Sequence, residues 1–135
     1  MFDAISTAGT GLDSYHTWLD VISNNIANMN DTAPTSGKVF ATHYAQAAEI
    51  TGGADGIGDG VRIASVTEGD TNGTLVQAPN DPMADAKGYV RTTDVNLSEQ
   101  MGDMIVAERA YQANANVIDR AKATYEAALN IGKGA

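Results

Sequence analysis

Apolar side chains recur at alternating steps of three and four residues at both ends of this chain, and the rhythm is lost between them. At the front the row is Ile5, Ala8, Leu12, Tyr15, Leu19, Ile22, Ile26 and Met29. At the back it is Leu97, Met101, Met104, Tyr111, Ala115, Ile118, Tyr125 and Leu129, with Glu108 and Lys122 in the two gaps. Such a period belongs to a helix that buries one seam against another helix. The pattern predicts a chain that folds back on itself. The class is mainly α, the N- and C-terminal helices pairing as an antiparallel coiled-coil hairpin with short β strands between them.

The front helix is expected over residues 1–30. Asp3 and Ser6 suit its positive end. Gly9 and Gly11 weaken its first turns by roughly 1 kcal/mol each relative to alanine, so the helix is expected to be firm from about Leu12. Asn24, Asn25, Asn28, Asn30 and Asp31, followed by Pro34, form a poor helix interior and a good terminator. The middle reads as about three short strands, with Val39–Ile50, Val61–Val66, Thr74–Val76 and Gly88–Val90 as the extended pieces. Gly52 to Gly60 is too rich in glycine for regular structure and reads as a hairpin connection. From Val95 to Ile131 no proline occurs and only Gly102 disturbs the helical pattern. A helix of that span is about 52 Å long at 1.5 Å per residue and needs a partner along its length. The expected parts are thus an N-terminal helix over 1–36, a small β-rich insert over 37–94 and a long C-terminal helix over 95–135.

The C-terminal helix carries a second, smaller row: Val106, Ala110, Ala113, Val117, Ala121, Thr124 and Ala128. A lone pair of helices leaves that row in water, and its small side chains permit close approach of another helix. Alanine is also a strong helix former on a solvated face, and at this point both readings stand.

Composition narrows the partners. The formal net charge is −9, from 17 acidic and 8 basic side chains, which argues against nucleic acid. No cysteine is present, so there is no disulfide framework and no thiolate metal site. The first basic residue is Lys38, and Asp3, Asp13 and Asp20 interrupt any leading apolar run, so no secretory signal peptide is expected. No run approaches the ~18 apolar residues of a membrane span.

Little here suits catalysis or ligand capture. Read as a calcium loop from Asp55, the third residue is Ile57 and the twelfth Val66, where oxygen ligands are required. Gly56, Gly58 and Gly60 precede a strand rather than the helix that would hold a phosphate. His16 and His43 have no zinc-ligand spacing. Asp81 and Asp85 lie in a proline-bounded loop where solvated charge is the ordinary explanation, and Trp18 suits a helix interface. The expectation is a protein that packs against copies and relatives, not an enzyme, with no cofactor, metal or small-molecule substrate. The second reading is a monomeric calcium- or ligand-binding module using the Gly52–Gly60 loop.

Four segments carry a resemblance. Leu19-Asp20-Val21-Ile22-Ser23-Asn24-Asn25-Ile26-Ala27-Asn28 resembles the N-terminal signature of the bacterial flagellar rod and hook family, and Arg109-Ala110-Tyr111-Gln112-Ala113-Asn114 resembles its second signature. The stretch from Asp81 to Val90 and the ending Ala128-Leu129-Asn130-Ile131-Gly132 are similar to the family's short proximal-rod members. The chain departs from the pattern at Arg91-Thr92-Thr93-Asp94-Val95, where the family usually carries Pro-Asn-Val.

The resemblance implies a structural subunit of the proximal rod of the flagellar basal body, polymerising through its terminal helices to form a drive shaft. It implies export by the flagellar type III apparatus without a cleaved signal, and a place in the periplasmic space. The implied partners are other rod proteins, the basal rod-to-ring adaptor, copies of itself and, in transit, the export apparatus. The packing contacts are expected at Leu12, Leu19, Ile22, Asn25, Ile26, Asn28, Met101, Met104, Tyr111, Asn114, Ile118, Tyr125 and Leu129. In a free subunit the terminal helices are expected to be largely disordered, since a lone helix gains most of its stability from tertiary packing.

Overall fold

A computed structural model describes residues 2–51 and 58–133. Helix α1 spans Phe2–Ala27 and helix α2 spans Leu97–Lys133. Between them lie β1 (Thr32–Ala33), β2 (His43–Ile50), β3 (Gly60–Glu68), β4 (Thr74–Gln77) and β5 (Tyr89–Thr92). The class is therefore two terminal helices with a small β region between them, as the periodicity predicts. The β region is richer than expected: β2 and β3 form one antiparallel sheet, and β1, β5 and β4 form a second in that order. The two-residue β1 lies in the stretch read as a helix terminator. It exists because Thr32 and Ala33 pair with Thr92 and Arg91 across the chain, a contact that local sequence does not announce.

Helix α1 ends where the asparagines begin to bond locally. Asn28 donates its side-chain amide to the Asn24 carbonyl and side-chain oxygen at 2.8 and 2.7 Å, and the Asp31 N–H closes a turn on the Asn28 carbonyl at 3.0 Å. At its start the helix runs from Phe2, within the span of residues 1–30 expected from the sequence. Helix α2 is capped by Asn96, whose side-chain oxygen accepts the N–H groups of Ser98 at 3.0 Å and Glu99 at 3.3 Å.

Contacts between the helices occur along their lengths. The Phe2 and Tyr125 rings meet edge to face at 6.0 Å, Gly11 faces Asn114, and Asn25 bonds Gln100. Position numbers thus fall along α2 as they rise along α1. An adjacent side of α1 receives β3: Ser14 donates to the Val61 carbonyl at 3.1 Å, and the Val61 N–H donates to the Thr10 hydroxyl oxygen at 3.1 Å. Gly60 makes this approach possible, with φ +127° and no room for a side chain beside Thr10.

The large side chains sealed from water are few: Ile22 on α1 and Val90 on β5 lead them. The accessible surface is 8849 Å² for 14.0 kDa. A compact monomer of that mass exposes about 6,700 Å². An elongated helix pair with a thin β attachment accounts for the excess.

The loop between β4 and β5 holds the Asp81–Val90 segment. Asp81 accepts the Met83 N–H at 2.8 Å, and Asp85 accepts the N–H groups of Lys87 at 2.9 Å and Tyr89 at 3.0 Å. The Tyr89 N–H is the main cause that holds the Asp85 carboxyl below its usual range, with Lys87 assisting by hydrogen bond and by charge. A lowered carboxyl value means a contribution fully present above the unfolded value of 3.8 and lost as pH falls through the folded one. The amide proton shifts of Lys87 and Tyr89 are expected to titrate together with a midpoint below 3.8, and Asp85→Asn is expected to abolish the titration.

Candidate assembly surface

The strongest site in the molecule is a buried polar clamp where both helices meet the β region. Asn25 is 1% exposed, and every hydrogen-bonding atom of its amide is used. Its nitrogen donates to the His43 carbonyl at 2.9 Å and to Gln100 Oε1 at 2.8 Å, while its oxygen accepts the His43 N–H at 2.9 Å. One side chain thereby joins α1, the first residue of β2 and the first turn of α2. Two more bonds brace the same junction: Thr42 donates to Asp94 at 2.8 Å, and Asp31 accepts the Phe40 N–H at 2.7 Å.

The inner seam of α2 differs from the row of large apolar residues. Gln100 and Ala107 are buried, Met104, Ala110, Asn114, Ala115, Ile118 and Ala121 are half-buried, and Leu97, Met101 and Leu129 are exposed. The seam includes Gln100, Ala107, Asn114 and Ala121 beside Met104, Ala115 and Ile118 of the expected row, whereas Leu97, Met101, Tyr111, Tyr125 and Leu129 of that row are exposed. The cause is close approach. A Cβ on Gly11 would lie 2.7 Å from Asn114 Oδ1, so only small or tightly folded side chains fit where the helices touch. Gln100 is admitted because Asn25 satisfies it. The seven-residue spacing of Gln100, Ala107, Asn114 and Ala121 was the available signal, hidden by their lack of apolar bulk.

The other residues expected at packing contacts fall into groups. Ile22 and Asn25 are sealed inside the subunit, where they hold its own elements together. Leu12, Leu19, Ile26 and Asn28 on α1 are half-buried, as are Met104, Asn114 and Ile118 on α2. Met101, Tyr111 and Leu129 are exposed, and Tyr125, also exposed, meets Phe2 of α1.

Among the described residues, no element other than α1 packs against α2. Its remaining faces carry Leu97, Met101 and Ile105 on one flank and Val106 and Val117 on another, with Met101 53% and Val106 56% exposed. Past the level of Phe2 the helix continues alone, and Ile131 there is 77% exposed. Apolar groups in such rows on a small protein mark an interaction surface.

Grooves elsewhere offer less. One, about 400 Å³, lies between α1 and β3 and is lined by Thr10, Asp13, Ser14, Ile50, Val61 and Ile63 among others. Its charged groups are Asp13 and Arg62, which form no acid–base pair with a nucleophile. No group of three His, Cys, Asp or Glu side chains converges among the described residues, and no helix among them is long and apolar enough to cross a membrane. Residues 52–57 of the glycine loop lie outside the described residues.

Comparison with known proteins gives this surface its context. The family profile described as "Flagella basal body rod protein" matches residues 5–33, and the profile described as "Flagellar basal body rod FlgEFG protein C-terminal" matches residues 86–131. These two segments hold both ends of the Asn25–Gln100 bond. Over its whole length the chain is similar to the flagellar basal-body rod protein FlgC of Borreliella burgdorferi, at 39% identity with 99% of each chain covered. It is similar to the FlgC proteins of Bacillus subtilis at 29% and Escherichia coli O6:H1 at 30%, each with 98% of both chains covered. The reading of the glycine loop as a calcium- or ligand-binding module finds no support in these relatives. The chain belongs to the flagellar basal-body rod protein FlgC family, and it is a structural rod subunit of the flagellar basal body.

Proposed function

We propose that this subunit polymerises in the proximal part of the rod through its terminal helices, which act as an antiparallel coiled-coil hairpin. One observation carries the reading: among the described elements only α1 packs against α2, which exposes apolar rows on its other faces. Each exposed valine contributes roughly 1.5 kcal/mol or more when a neighbouring subunit covers it. Repeated around a tube, such contacts make a stiff shaft able to transmit torque.

In this reading residues 1–36 and 95–135 form the inner helical layer around the export channel, and residues 37–94 sit outside it. The contacts are made by Met101, Tyr111, Tyr125 and Leu129, together with Val106, Val117 and the half-buried apolar residues that border the seam. The subunit reaches the periplasmic space through the flagellar type III apparatus and meets other rod proteins, the rod-to-ring adaptor and copies of itself. No catalytic role is assigned to it.

Val106→Asp with Val117→Asp tests the reading. Both positions are exposed, so the isolated subunit should keep its unfolding midpoint within the ±0.5 kcal/mol usual for surface changes. Basal bodies isolated from cells carrying only this variant should retain severalfold less of the chain, with motility lost. Full retention and normal swimming would contradict the proposal.

A further inference from the structure

The outward sides of the two helices carry opposite charge. Helix α1 contains Asp3, Asp13 and Asp20 and no lysine or arginine. Asp13 and Asp20 are exposed, on the side of α1 turned away from Gly11 and Asn25, and Asp13 also borders the groove beside β3. On α2, Arg109 and Arg120 are exposed on the side away from α1, with Ala113, Asn116 and Ala127 around them. A shallow concavity there is lined by Glu108, Arg109, Gln112, Ala113 and Asn116. Glu108 and Asp119 lie toward the flank that carries Met101. Among the described residues the ion pairs are His16–Asp20, His43–Glu68 and Lys122–Glu126, so Asp3, Asp13, Arg109 and Arg120 form no ion pair among those residues, although Arg62 lines the same groove as Asp13.

The heights of these charges match as well as their signs. The contacts Phe2–Tyr125, Gly11–Asn114 and Asn25–Gln100 fix which residues share a level. By that register Arg109 stands between the levels of Asp13 and Asp20, and Arg120 between those of Asp3 and Asp13. We propose that the outer face of α2 in one copy seats against the outer face of α1 in the next copy, side by side at nearly the same height. Acidic and basic groups then alternate up the contact, and the small residues of α2 allow close approach.

The contact is heterologous, each copy offering a different face to its two neighbours, as a ring or helical tube requires. The surface in excess of a compact monomer is of the order that one standard interface buries. The proposal rests on the polymerising reading above and adds which face meets which.

Because the chain has no cysteine, Asp13→Cys with Arg109→Cys gives a clean probe. In basal bodies isolated from cells carrying only this variant, a short bismaleimide is expected to produce dimers and higher multimers of the chain. Rods that contain the chain but give no multimers would overturn this contact and leave the rod reading intact. Absence of even the unmodified chain from isolated rods would overturn both. A second pair of variants guards against a folding defect. Asp13→Arg with Asp20→Arg should reduce incorporation at least tenfold, and adding Arg109→Asp with Arg120→Asp in the same chain should restore it. Failure of that restoration overturns the proposal.

Discussion

Asn25→Ala is expected to lower the stability of the isolated subunit by about 3–5 kcal/mol, read from the midpoint of urea unfolding. The substitution deletes three hydrogen bonds and leaves three groups at a buried junction without partners: the His43 N–H, the His43 carbonyl and Gln100 Oε1. An unpaired buried polar group costs about 1–3 kcal/mol, and a small domain has only about 5–15 kcal/mol in total. Asn25→Asp separates the donor from the acceptor role. The carboxylate still accepts from the His43 N–H but cannot donate, and it places a charge at a sealed site. Burial raises the carboxyl's folded value, so this variant should be more stable in acid and lose stability as pH rises through the ordinary carboxylate value of about 3.9. A pH-independent defect, or a loss below 1 kcal/mol for the alanine variant, would show that the clamp matters little.

The second large effect is expected at Gly11. A side chain there points at Asn114, whose own amide is tied back to the Ala110 carbonyl at 2.8 Å. Gly11→Leu must either displace Asn114 or part the helices, and overpacking of this kind costs about 1–3 kcal/mol or more. Parting the helices also uncovers Ala8 and Ala107. Asn114→Ala in the same chain should recover much of the loss, because it removes the obstacle. Gly11→Ala is a sharper comparison: roughly 1 kcal/mol of helix propensity favours it, and the displaced amide opposes it, so the net change should be small. Thermal unfolding followed by circular dichroism measures all four proteins. A Gly11→Leu variant as stable as the parent would mean that the helices are not closely apposed at that level.

The two effects probe different ends of the subunit. The clamp joins three elements where α1 ends and α2 begins, whereas Gly11 lies toward the end where α2 runs on past Phe2. Near the clamp the β region supplies additional bonds. Toward the far end β3 bonds α1 at Thr10 and Ser14, and past Phe2 α2 runs on with Leu129 and Ile131 exposed. In a free subunit the disorder expected of the terminal helices should therefore begin at the far end, while the clamped end keeps the order that the unfolding measurements read.

Much of this was legible in the chain because the relevant signals are local. The apolar row on α1 marked positions that are half-buried or buried from Ile5 to Met29, and the asparagine run marked the end of the helix. The strands around Val61 and Thr74 were visible as alternation between turns. The misplaced part of the seam on α2 has a physical reason. Burial there follows closeness of backbones and satisfaction of an amide, so alanine, asparagine and glutamine lie inside while Met101 lies outside. Strand β1 and the role of Gln100 depend on partners far along the chain, and no window of sequence contains both members of either pair.

The central claim is that the terminal helices are completed by neighbouring subunits in the rod. A high-resolution image of the intact basal body with this chain traced tests it most directly. The account predicts both helices lying along the channel, the apolar rows at Met101, Ile105, Val106 and Val117 covered by adjacent subunits, and the β region on the outside. An image that placed the β region against the channel, or left those rows facing solvent in the assembled rod, would contradict it.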